Sequence, residues 1–175
     1  MKLSEFNALS TDEAMKDLMR CCGSRRWASQ MAARRPYNTL ESVLAMADEV
    51  WAKMARADVL EAFSHHPKIG DVASLRTKFA STSQWASGEQ SGVQAAGDDV
   101  LKRLAEGNDL YEKRFGYIFI VCATGKTAPE MLALLEERLR NKSDVELRIA
   151  LGEQAKITRI RLGKLFQEEA LGGSA

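Results

Sequence analysis

After Asn38 the apolar residues Val43, Leu44, Ala47, Val50, Trp51 and Met54 recur three and four positions apart, a spacing that a helix buries along one side. That pattern sets the class of fold, because the rest of the chain repeats it. Ser10 with Glu13, Asn38 with Glu41 and Ser143 with Glu146 have the spacing of capping boxes, in which two side chains satisfy free amides of a helix's first turn. Asp58 opens a shorter segment, Val59 to Ser64, and Pro36 separates the first two helices. Trp85 to Gln94 fits another helix, which Gly97 breaks, and Val100, Leu101, Leu104, Leu110, Tyr111 and Phe115 carry the helical pattern on to Gly116. Pro129 suits the first turn of a helix whose apolar side is Met131, Leu132, Leu135 and Leu139, and Asn141 can end it. The last helix runs from Ser143 to Ala170 with Leu147, Leu151, Ile157, Ile160 and Leu165 in its apolar pattern, and the tail 171–175 is expected to fray. The expected architecture is all-α, a single-domain bundle of about six to eight helices.

One stretch departs from this texture. Tyr117 to Ala123 is an unbroken, partly β-branched apolar run bounded by Gly116 and by Thr124-Gly125, and periodicity alone allows a short buried strand. No second strand is available to pair with it, and an isolated strand leaves its backbone unsatisfied. The run near residues 117–124 is therefore expected to be extended or irregular chain buried among helices, or a helix that starts within it. Its amides could then face a ligand.

At 175 residues and 45% apolar content, the chain can build one core and bury about 70% of its unfolded surface. The 25 basic and 24 acidic residues leave a net charge of +1, which gathers neither nucleic acid nor anionic lipid. The longest apolar stretch falls far below the roughly 20 residues that cross a bilayer, so neither a nucleic acid nor a membrane is expected as a partner. Cys21 and Cys22 are adjacent and Cys122 sits in the apolar run, which is no disulfide framework; all three are expected to be reduced. The histidines lie at no metal-ligand spacing, so no metal is expected. The start lacks a signal-peptide apolar region, and the end, Gly173-Ser174-Ala175, is not a Ser-Lys-Leu address, so the expected location is cytoplasmic.

Chemistry points to Ser64-His65-His66-Pro67-Lys68-Ile69-Gly70-Asp71, where both histidines of the chain meet a proline and a glycine. Imidazole, with an ordinary pKa of about 6.5, exchanges protons near neutrality, and Pro67 restricts the backbone of His66. By itself the run could simply break one helix before the next. Glu89-Gln90 could be a solvated helix face, and the Gln154-Lys156-Arg159-Arg161 side of the last helix could serve only its dipole and surface. Gly125-Lys126-Thr127 invites comparison with a phosphate-binding loop, but that motif needs a glycine where this chain has Ile120.

As an ordered set these elements are specific. His66-Pro67-Lys68-Ile69-Gly70, Glu89-Gln90, Asn108 with Tyr111-Glu112, Arg114-Phe115-Gly116, Phe119-Ile120-Val121-Cys122-Ala123 and Glu153-Gln154-Ala155-Lys156-Ile157-Thr158 with Arg161-Leu162 resemble the 2-oxo-4-hydroxy-4-carboxy-5-ureidoimidazoline (OHCU) decarboxylase family, from about residue 4 to residue 166. The resemblance implies a cofactor-free, all-helical, usually dimeric carboxy-lyase of urate breakdown that takes OHCU to (S)-allantoin. It implies His66 as acid/base, Glu89 as partner of the substrate's hydroxyl or ureido group, and Arg161 as the fork that grips carbonyl or carboxylate oxygens. Pro67 would fix the aim of His66. Amides from Phe119 through Ile120, Val121 and Cys122 to Ala123 would bind the polar edge of the ring, with Gln90 a further contact. Many family members have serine where this chain has Ala86, with Ser87 one place later, so no catalytic role is assigned to Ser87. The competing expectation is a non-catalytic helical ureide-binding or regulatory module on the same scaffold.

Overall fold

Helix starts follow the side chains able to close them. The Ser10 hydroxyl accepts from the Glu13 amide at 3.3 Å while the Glu13 carboxylate accepts from the Ser10 amide at 3.0 Å, the capping box its spacing predicts. The structure, a computed structural model, describes residues 1–68, 72–79 and 90–166. Nine helices fall among them: α1 (Leu3–Ala8), α2 (Thr11–Cys21), α3 (Arg25–Ala33), α4 (Leu40–Ala52), α5 (Arg56–Ser64), α6 (Val72–Phe79), α7 (Gln90–Phe115), α8 (Ala128–Arg138) and α9 (Ser143–Phe166). No strand occurs among the described residues, so the fold is all-α as expected. The tail at 171–175 and the first part of the helix expected from Trp85 lie outside the described residues.

The helices exceed six to eight because α1 precedes Ser10 and because the chain between Ser10 and Pro36 forms two helices. Cys22 is extended (φ −143°, ψ 120°), and the fully buried Ser24 begins α3 by accepting from the Trp27 amide at 3.3 Å. Two other boundaries shift. The cap of α4 is Thr39 with Ser42, one place beyond Asn38 and Glu41. Gly97 does not break α7; a single helical glycine costs only about 1 kcal/mol against alanine, which the rest of the helix absorbs.

Contacts gather the chain into two compact units, one of Met1–His66 with the chain from Leu151 onward, the other of Pro67–Ala150. In the first, α3 packs against α2, α4 and α5 around Trp27, Met31, Leu18 and Phe63. Buried indoles are also hydrogen-bonded, Trp27 to the Ala47 carbonyl at 3.2 Å and Trp51 to the Leu151 carbonyl at 3.0 Å, which aligns α3 with α4 and α4 with α9. Gly23 is packed against the end of α5: a Cβ there would lie 2.4 Å from Cβ and 2.6 Å from Cγ of His65. Gly23→Ala must displace the His65-His66 turn, and overpacking of this kind costs about 1–3 kcal/mol. A thermal midpoint equal to the parent's would contradict that contact.

In the second unit α7 packs on α6 and α8, with Leu101, Leu104, Tyr111 and Leu135 buried. Glu146 does not close a capping box with Ser143. Its carboxylate, fully buried, accepts from Nε of Arg138 at 2.7 Å, from Nη2 of Arg138 at 2.6 Å, from Nδ2 of Asn141 at 3.0 Å and from the Tyr111 hydroxyl. A buried carboxylate needs such company, because an unpaired one costs several kcal/mol. Arg138 also donates through Nη1 to the Ile120 carbonyl at 2.8 Å and stands 4.6 Å over the Phe119 ring. One ion pair thus anchors the segment that sequence could not classify.

Residues 118–123 have no regular secondary structure. Gly116 (φ 81°) and Gly125 (φ 74°) turn the chain into and out of the segment in the left-handed region, where glycine pays no Cβ penalty. Tyr117, Ile120 and Cys122 are buried between them, as expected for irregular chain lodged among helices.

Candidate functional site

His66 follows the C-cap of α5. The helix ends because His65, still helical in backbone (φ −81°, ψ −7°), donates to the Ala62 carbonyl, while the His66 amide donates to the Phe63 carbonyl. Pro67 cannot continue that ladder. The two imidazoles differ in exposure: His65 is exposed against Gly23, and His66 is half-buried.

The His66 ring is held by α9. Its Nε2 lies 2.6 Å from Oε1 of Gln154, and Nε2 of Gln154 donates to the Thr158 hydroxyl at 3.1 Å. Gln154 is fully buried, so these bonds satisfy groups that water cannot reach.

Arg161, half-buried on the same helix, acts on this group electrostatically. Burial first lowers the pKa of His66 below its ordinary value, and the Arg161 charge lowers it further, against the opposing hydrogen bond that the ring donates to Gln154. The guanidinium also acts on the Cys21 and Cys22 thiols, which burial pushes up to about 11 and about 12. The other cations of this stretch are paired, Lys156 with Glu153 at 2.6 Å and Arg159 with Asp48 at 2.5 Å. Among the described residues no carboxylate pairs with Arg161.

The lowered pKa fixes the sign of a pH effect. An unfolded chain binds the His66 proton at about 6.5, whereas the folded protein binds it only at lower pH. Between those values the unfolded state holds more protons, so this group's contribution to stability declines as pH falls through that window and is unaffected above it. Proton NMR titration of the His66 ring is expected to give a midpoint below 6.5; a midpoint above it would contradict the burial of the ring.

The segment 118–123 forms part of the other unit. Its carbonyls are engaged, Ile120 with Arg138, Cys122 with Nζ of Lys126 at 2.8 Å and Ala123 with the Lys126 amide at 3.0 Å. Lys126 therefore braces the loop, and Thr127 caps α8 by accepting from the Glu130 amide, roles far from phosphate binding. No acceptor for the amides of Phe119, Ile120, Val121 or Ala123 occurs among the described residues. Lys68 is likewise engaged, 3.3 Å from Asp109 and 2.5 Å from Glu112. Pro67 is exposed. Glu89 lies outside the described residues, as do Ala86 and Ser87; Gln90 opens α7, its side chain outside what is described. Sequence reasoning missed Gln154 and Thr158 as partners of His66; their spacing of four on α9 with Ala150 and Leu162 was the available signal. Among the described residues no group of three or more His, Cys, Asp or Glu side chains is placed to hold a metal ion, and no helix is long and apolar enough to cross a membrane.

The chain is thus an all-helical protein in which a half-buried imidazole lies within electrostatic reach of a guanidinium that has no carboxylate partner among the described residues. The chain belongs to the OHCU decarboxylase family, whose model matches residues 7–163. It is 42% identical over 152 residues to the uric acid degradation bifunctional protein TTL of Arabidopsis thaliana, covering 86% of this chain and 46% of that protein. The chain therefore spans about half the length of that relative. A Haloferax volcanii protein named as an OHCU decarboxylase is 23% identical over 170 residues, with 97% of this chain and 98% of the relative covered. Among solved structures, an OHCU decarboxylase crystallised in the presence of (S)-allantoin is 39% identical with a TM-score of 0.69, over 87% of this chain and 98% of that one.

Proposed function

We propose that this chain decarboxylates OHCU to (S)-allantoin in urate catabolism, without a cofactor, as a carboxy-lyase. The observation that carries the reading is the His66 imidazole held by Gln154 and depressed in basicity by burial and by the neighbouring Arg161 charge. Membership of the family and likeness to a solved OHCU decarboxylase support it.

The substrate bears a carboxylate and a hydroxyl on one carbon. Loss of CO2 leaves an electron pair to spread into the adjoining ring, where one face must then be protonated. Arg161, with no carboxylate partner among the described residues, grips the anionic oxygens and holds them in register. His66, uncharged at neutral pH, takes a proton from the hydroxyl or returns one to the reacting carbon. Glu89 hydrogen-bonds the hydroxyl or ureido group, and Gln90 adds a contact. The amides of Phe119 to Ala123 meet charge growing on the heterocycle, the task of donors fixed in advance, and the engaged carbonyls on Arg138 and Lys126 fit that use. A homodimer in the cytoplasm completes the proposal. Leu110 on α7 and Val145 and Ile149, one turn apart on α9, offer exposed apolar surface for a second copy, and reduced thiols suit a reducing compartment.

The test is direct. Urate freshly oxidised in the presence of the preceding hydrolase should, with this protein, yield optically active (S)-allantoin, unaffected by chelators. Binding of ureides with no optical enrichment would replace this reading with the non-catalytic module.

A further inference from the structure

We infer that Gln154 is a positioning residue that fixes His66 as the Nε2–H tautomer and so makes Nδ1 the nitrogen that exchanges protons with substrate. This rests on the reading of His66 as the acid/base of the proposed reaction. A neutral imidazole has one donor and one acceptor nitrogen, and the hydrogen bond made by one dictates the role of the other. Here Nε2 faces an amide oxygen 2.6 Å away, short for a bond between two nitrogens and suited to N–H···O.

The far end of that amide is engaged as well. Gln154 has no exposed surface, so its NH2 must find a protein acceptor, and the Thr158 hydroxyl supplies one at 3.1 Å. A hydroxyl oxygen carries two lone pairs and can accept that N–H. The run from Thr158 through Gln154 to His66 is therefore a chain of donors and acceptors with one consistent direction. Reversing the amide would turn an NH2 toward Nε2 and require the Thr158 hydroxyl to donate instead of accept. Thr158 and Gln154 need touch no substrate to act; they decide which ring nitrogen carries the lone pair. The arrangement also restrains the ring in rotation, as second partners of a reacting histidine do when they set its tautomer.

Uniform 15N labelling of histidine gives a direct measurement, because the chain has only two histidines and His66→Gln removes the signals of one. Two-bond proton–nitrogen spectra of the unsubstituted protein above pH 7 are expected to show His66 with a protonated Nε2 and an unprotonated Nδ1. The opposite tautomer, or an even mixture, overturns the inference without any kinetics. Gln154→Met, similar in volume but unable to accept, should give the mixture and lower kcat about tenfold or more with KM changed less than about threefold. An unchanged kcat in a folded Gln154→Met protein overturns the role. Gln154→Glu keeps the acceptor and adds a negative charge, so it should recover much of kcat while moving the acid limb of the kcat/KM profile to higher pH by about one unit or more. A loss as deep as that of Gln154→Met, with the limb unmoved, overturns positioning. Parent-like turnover by His66→Gln would sink the catalytic reading beneath it, and a fixed Nε2–H tautomer in the unsubstituted protein would locate the failure there.

Discussion

Replacement of His66 by glutamine is expected to reduce kcat/KM for (S)-allantoin formation by about 10²–10⁴-fold, the usual contribution of a positioned acid/base, while the helical circular dichroism stays at the parent level. Glutamine keeps an amide near the position of the ring, so Gln154 retains a polar neighbour, but it cannot exchange a proton near neutrality. His65→Ala supplies the contrast. His65 is exposed and touches Gly23 through atoms that include the Cβ that alanine keeps, so its loss should change rate by less than about threefold, far below an acid/base effect. If the two substitutions are equally damaging, the reacting histidine has been chosen wrongly. If His66→Gln turns over like the parent, neither imidazole does the chemistry.

The second large effect concerns stability. Arg138→Met or Glu146→Leu alone leaves one buried charge without its partner, which costs about 3–5 kcal/mol and should lower the thermal midpoint by roughly 6–20 °C in a chain of this size. Combining them removes both charges, and an apolar pair of similar bulk often does as well as the ions it replaces. The double variant should recover at least half of the single loss, short of full recovery because Tyr111 and Asn141 lose their acceptor. Its activity should stay low, since the Ile120 carbonyl has still lost Nη1 of Arg138. Thermal melts that add the two single losses would show the side chains to be energetically independent, contrary to the geometry.

Local chemistry was the legible part of the fold. Ser10 and Glu13, Pro129 in the first turn of α8, and the irregular run after Gly116 were all readable because each depends on residues within a few positions. Glu146 was misread for the complementary reason. Its spacing from Ser143 is that of a cap, but its carboxylate is claimed by Arg138, Tyr111 and Asn141, and long-range partners leave no mark on spacing. Arg138 carried a hint, since it continues the row Met131, Leu135 and so falls on the buried side of α8. α9 was harder still. Its buried residues are Glu146, Ala150, Gln154, Thr158, Leu162 and Phe166, every fourth position and half of them polar, whereas the apolar pattern chosen from sequence, Leu147, Leu151, Ile157, Ile160 and Leu165, is only partly buried or exposed. At about 100° per residue a row of fours drifts about 40° per step, so no straight apolar stripe exists to be found. Of the site, His66 and Arg161 are brought into electrostatic contact, while Glu89 lies outside the described residues; the hydrogen-bond chain behind His66 was hidden because glutamine and threonine on a basic helix read as surface.

The three cysteines offer a way to time the opening of each unit. Cys21 and Cys22 are buried in the unit of Met1–His66 with the chain from Leu151 onward, and Cys122 is buried in the unit of Pro67–Ala150. An alkylating reagent meets such thiols only when the surrounding chain opens, and the raised pKa values of Cys21 and Cys22 keep them protonated until then. Peptide mass spectrometry during slow alkylation would therefore yield separate clocks for the two halves, and a ligand that seats against only one of them would slow one clock and leave the other running.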